Sequence, residues 1–105
     1  MSFSDRQKAF EEKFRHDQEL RFRVDVRRNK LIGLWAAELM DIKGEEAEAY
    51  ARDVISTDLS EPGDDDVVRK ILGDFHERNV DISEHRLRKK LEELQATAKQ
   101  QLMSE

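Results

Sequence analysis

Apolar residues recur along this chain at spacings of three and four, the period of an α-helix with one covered face. From Leu20 to Met40 the inward set is Leu20, Val24, Leu31, Leu34, Trp35 and Leu39, while Phe22 and Val26 point elsewhere and imply a partly covered second face. Gly33 sits inside this stretch, where glycine costs about 1 kcal/mol against alanine, so it marks close helix packing. Gly44 ends or restarts the chain. A second helix is expected from Glu45 to Thr57, with Ala47, Tyr50, Ala51, Val54 and Ile55 inward, and Glu61-Pro62-Gly63 is the clearest loop. A third helix runs from Asp64 to about Glu77 on Val67, Val68, Ile71, Leu72 and Phe75, and Asn79 or Val80 breaks it. Asp81 with Glu84 reads as a capping box for a last helix, whose period is the cleanest: Leu87, Leu91, Leu94, Ala98 and Leu102. The expected fold is all-α, a four-helix bundle.

Ahead of these helices, Phe3, Phe10 and Phe14 form an aromatic stripe of their own, with Ser4 and Gln7 as a helix start. On one continuous helix this stripe lies roughly 70° from the line of Leu20, Val24, Leu31 and Trp35. The polar run Arg15-His16-Asp17-Gln18-Glu19 separates the two. Residues 1–18 are therefore expected to form a flexible or frayed helical arm, and 19–105 the bundle domain. An isolated helix this short is marginal in water. Spacing alone leaves the arm evenly poised between folding back and burying itself in a partner.

Composition narrows the chemistry. The 105 residues suit one domain, cysteine is absent, and charged residues make up 41% of the chain. No apolar run approaches the roughly 20 residues that span a bilayer. Net charge is −5, but unevenly spread. Nine basic residues face six acidic ones through residue 30, whereas ten acidic residues face Lys43 and Arg52 between Asp41 and Asp66. Such a dipolar chain orients against a partner of mixed charge and is a poor ligand for nucleic acid.

Catalytic readings fail on spacing. Asp64-Asp65-Asp66 resembles a Mg²⁺ site, but no glycine-rich phosphate loop precedes it, so the three are expected to cap the third helix. None of His16, His76 and His85 has a glutamate three residues before it, as a di-metal bundle site requires, and no metal site is expected. No Gly-x-Ser-x-Gly elbow is present. Arg27, Arg28 and Lys30 read as a solvated basic face, with phosphate contact as the alternative. Trp35 reads as the central core residue.

The residues now carry a family resemblance. The run Phe3-Ser4-Asp5-Arg6, Ala9-Phe10-Glu11, Lys13-Phe14, His16-Asp17, Glu19-Leu20 and Phe22 leads into Arg27-Arg28-Asn29-Lys30-Leu31-Ile32-Gly33-Leu34-Trp35-Ala36-Ala37. With Val54-Ile55 through Asp58, Gly63-Asp64-Asp65-Asp66-Val67 and Arg69-Lys70, this resembles the alphaproteobacterial zeta subunits, inhibitors of the F-type ATP synthase. The resemblance implies a non-enzymatic protein whose N-terminal segment enters a catalytic α/β interface near the γ stalk and blocks ATP hydrolysis while the bundle docks outside. The implied partner is the catalytic head, with its α, β and γ subunits. The implied contacts are Phe3, Phe10 and Phe14 as apolar anchors and Arg6, Lys8, Lys13 and Arg15 as partners for acidic groups. It also implies a cytoplasmic protein, monomeric when free, held at the inner membrane only through the synthase, with no insertion of its own. The alternative is an adenine-nucleotide-binding regulatory module, in which Arg27, Arg28 and Lys30 contact ADP or ATP.

Overall fold

The computed structural model describes the backbone of residues 3–60 and 63–104 and the side chains of residues 18–60 and 63–104. Four helices follow one another: α1 (Phe3–Leu39), α2 (Glu45–Ser60), α3 (Asp64–Glu77) and α4 (Glu84–Met103), with no strand among the described residues. The all-α bundle expected from the periodicity is the observed fold. α1 packs chiefly on α2 and α4, and α3 packs mainly on α2 while also touching α4 and α1.

Helix ends follow from a few residues. Asp41 adopts φ 59°, and behind it the Ile42 N–H donates to the Ala37 carbonyl at 2.8 Å and the Asp41 N–H to Glu38 at 3.1 Å. The same pair of bonds closes α3, from Val80 to Phe75 at 2.8 Å and from Asn79 to His76 at 3.3 Å, with Asn79 at φ 58°. Both are Schellman ends with a short polar residue in the left-handed position, and the following Ile42 and Val80 pack onto the core. α1 thus stops at Asp41, and Gly44 (φ 64°) serves the entry to α2 instead.

Two expected caps differ. α4 is capped by Ser83, whose hydroxyl accepts from the Arg86 N–H at 3.1 Å, and not by Asp81. The residue before α3 is Gly63, with no side-chain cap bond, and Asp64, Asp65 and Asp66 occupy the first turn. They still favour the positive end of the helix dipole, but each is oriented by an arginine.

The core is Ile32, Ala36, Met40, Val54, Val67, Val68, Ile71, Phe75, Leu87 and Leu91. Each large side chain here contributes roughly 1.5–3 kcal/mol by leaving water. The inward line of α1 is therefore Val24, Ile32, Ala36, Ala37 and Met40, whereas Leu20, Leu31, Leu34 and Trp35 are half-buried and Leu39 is 40% exposed. Phe75, 1% exposed, is the central aromatic, and Trp35 meets its edge at 6.1 Å under the Lys90 ammonium. Phe22 is 56% exposed, so the bundle covers less than half of it. Gly33 performs the expected role: a Cβ there would lie 2.7 Å from the Ala51 Cα, so its absence lets α1 and α2 touch backbone to backbone.

Redrawing this line changes the relation between arm and bundle. Eighteen residues make about five turns. Positions 10 and 14 therefore share a line of α1 with Arg28 and Ile32. These two residues lie at one edge of the buried face, so positions 10 and 14 continue that edge and lie about 60° from its centre near Ala36.

Candidate functional site

The basic run of α1 is split by the bundle. Arg28 is 3% exposed and Asn29 1%, which overturns a solvated face at these positions. Both Nε and Nη2 of Arg28 donate to the Asn29 Oδ1, at 3.2 and 3.0 Å. Its Nη1 donates to the Asp64 Oδ1 at 2.9 Å and to the Gln95 Oε1 at 3.2 Å. The Asn29 Nδ2 donates to the Asp58 Oδ2 at 2.8 Å, and Asp58 in turn accepts from the Gly63 N–H. One guanidinium thereby joins α1 to the end of α2, the start of α3 and the middle of α4. A buried charge needs such saturation, since an unpaired one is strongly destabilising.

Arg27 is half-buried and donates to the Gln101 Oε1 at 3.2 Å, and Lys30 is exposed. The three basic residues thus differ in exposure, and the Arg28 fork is engaged by protein groups.

The aspartate run is likewise divided. Asp64 takes Arg28 of α1, Asp65 takes Arg88 of α4 at 2.9 Å, and Asp66 takes Arg69 of α3 at 3.2 Å. Three adjacent carboxylates point at arginines on three helices. Among the described residues, no group of three or more histidines and carboxylates is placed to hold a metal ion. His76 and His85 are exposed.

One turn before Arg28, Asp25 borders a cavity of about 580 Å³ between α1 and α4, lined also by Gln18, Leu20, Arg21, Val24, Gln95 and Lys99. Burial pushes the Asp25 carboxyl above its ordinary range. Arg28 and, more weakly, Arg21 oppose the shift, and Asp58 and Asp64 add to it.

Phe3, Arg6, Lys8, Phe10, Lys13, Phe14 and Arg15, with the Ser4–Gln7 start and His16, lie outside the residues whose side chains are described. What spacing missed is the Asn29–Asp58–Gln95 set around Arg28. Its one signal was Arg-Asn placed on a helix directly before the buried Ile32-Gly33 step.

No helix among the described residues is long and apolar enough to cross a membrane. No curated protein sequence matches the chain. A structure determined by NMR in solution is 46% identical, with a TM-score of 0.72, over 81% of this chain and 96% of its own. A model of the family described as ATPase inhibitor subunit zeta matches residues 1–101, nearly the whole length and including the phenylalanine segment. The sequence match and the helical bundle agree, and the chain belongs to the ATPase inhibitor subunit zeta family.

Proposed function

We propose that this chain binds the catalytic head of an F-type ATP synthase and blocks ATP hydrolysis by inserting the first part of α1 at a catalytic α/β interface near the γ stalk. The observation that carries this reading is the shape of α1. It has 37 residues, against 16 in α2 and 20 in α4, and its first core residue among those described is Val24. About six turns of helix thus precede Val24. The radius of gyration is 17.0 Å, where a compact chain of this length would have about 13 Å.

Family membership supplies the partner class. The register of α1 is compatible with a mechanism in which positions 10 and 14, in line with Arg28 and Ile32 at one edge of the covered face, enter a partner groove that takes over where α2, α3 and α4 stop. Phe3, Phe10 and Phe14 then anchor in apolar pockets, and Arg6, Lys8, Lys13 and Arg15 meet carboxylates at the rim. The bundle acts as a stop that holds the inserted helix at a fixed depth.

Hydrolysis by the isolated bacterial catalytic head, measured with the full chain and with a chain lacking residues 1–14, tests this. The full chain is expected to inhibit. The shortened chain is expected to melt at a similar temperature and not to inhibit. Equal inhibition by the two chains, or none by the full chain, overturns the reading.

A further inference from the structure

The bundle holds α1 against rotation about its own axis. A Cβ at position 33 would lie 2.7 Å from the Ala51 Cα, so α2 accepts α1 only with Gly33 turned toward it. Turning α1 by one residue, about 100°, would present Ile32 or Leu34 to that backbone instead. Arg28 and Asn29 add a second lock. The Arg28 bonds to Asp64 and Gln95, with the Asn29 bond to Asp58, tie α1 to the other three helices at one angle.

An unbroken helix carries that angle to the start of the chain. α4 accompanies α1 beyond Arg28: the Arg27 Nη1 donates to the Gln101 Oε1, and the cavity between the two helices is lined by Gln18 and Leu20 as well as by Gln95 and Lys99. α1 itself is one helix from Phe3 to Leu39. Neither glycine nor proline occurs between Ser4 and Ile32, and sharp kinks form chiefly at such residues. Asp17 and Glu19 stand four positions before Arg21 and Arg23, the order that supports a helix through the polar run.

We infer that the bundle sets the rotational phase of the inserted segment as well as its depth, with Gly33, Arg28 and Asn29 as positioning residues that act through the helix on residues several turns away. A helical segment is a semi-rigid spacer and transmits twist, which a glycine-rich coil does not. The inference rests on the proposed function for two things: the partner that receives the start of α1, and the docking that holds the bundle outside it. With the bundle held, one side of α1 is presented to the partner's groove and the other sides are turned away. The contact is then specified by an angle that residues outside the groove define.

Hydrolysis by the isolated catalytic head, with alanines inserted between Asp17 and Gln18, tests it. Each alanine turns the segment by about 100° and advances it by about 1.5 Å. Two alanines turn it by about 200° and are expected to raise the half-inhibitory concentration at least about tenfold, as for anchors taken out of their pockets. Four alanines bring it back to within about 40° and are expected to inhibit at least about threefold better than two, although the segment is then longer. Four glycines, equal in length but a flexible coil, are expected to inhibit no better than two alanines. Melting temperatures of all these chains are expected to match the wild type, since every residue from Gln18 onward is kept. If the wild type does not inhibit, the proposed function fails and this inference with it. If the wild type inhibits, a loss that deepens steadily from one to four alanines overturns this inference alone, in favour of depth. Equal inhibition by four glycines and four alanines, or by every insert and the wild type, also overturns it and makes the segment a flexible tether.

Discussion

The Arg28 guanidinium reaches the Asp64 carboxylate at 2.9 Å across thirty-six positions of sequence, from the middle of α1 to the first residue of α3. One end of this pair is almost fully buried and the other 56% exposed. The charge is therefore tied down at a point where water still reaches its partner, which lowers the desolvation cost of the pair. Arg28 with Asn29 is the polar centre around which all four helices meet.

Removing that centre is expected to be costly. Arg28→Ala leaves Asn29, Asp64 and Gln95 short of a donor and opens a void, a loss of about 3 kcal/mol. Arg28→Lys restores only part of it, because an ammonium cannot span Asn29 and Asp64 as the planar fork does. Urea denaturation of the two variants measures both losses.

At Gly33 two effects oppose each other. Alanine gains about 1 kcal/mol in helix propensity. Its Cβ would fall 2.7 Å from the Ala51 Cα, a backbone atom that cannot move without shifting α2. Overpacking of this kind costs about 1–3 kcal/mol, so Gly33→Ala is expected to destabilise the bundle. A lowered urea midpoint is the readout.

Asp25 gives stability a pH dependence of defined sign. Burial holds its folded carboxyl above the ordinary value of 3.8. Stability from this group is therefore fully present below that value and is lost as pH rises through the folded pKa. Asp25→Asn is expected to raise the melting temperature at pH 7, with the gain vanishing as pH falls toward 3.8. Paired melts of wild type and variant across that range isolate this carboxyl from the others.

The cap of α4 distinguishes Ser83 from Asp81. Ser83→Ala removes the acceptor for the Arg86 N–H and is expected to cost about 1 kcal/mol. Asp81→Ala is expected to stay within about 0.5 kcal/mol. Thermal melts separate the two, since 1 kcal/mol is about 4–8 °C for a domain of this size.

Phe10→Ala is expected to weaken inhibition of ATP hydrolysis by tenfold or thereabouts, as for an interface anchor worth about 1.4 kcal/mol or more. Little loss of melting temperature is expected for a residue that meets the partner and not the bundle. Inhibition curves and melts of the same preparation provide both numbers.

Local chemistry decided much of this protein. The spacing of Leu87, Leu91 and Ala98 placed α4, Asn79 ended α3, and Gly33 announced the backbone contact with Ala51, because periodicity, left-handed turns and missing Cβ atoms are properties of short segments. The family was legible in the same way, in contiguous runs such as Arg27 to Ala37.

Only the tertiary structure decided which side of α1 is inside. Leucines mark a face but do not choose it. Ile32, Ala36 and Ala37 turn inward together with Gly33, where α2 approaches too closely for a Cβ. That rotation buries Arg28 and leaves Leu39 and Phe22 in water. Hydropathy assigns an arginine to solvent by default. Its burial needs Asn29, Asp58, Asp64 and Gln95 together, and those four lie on four different helices that meet only after folding.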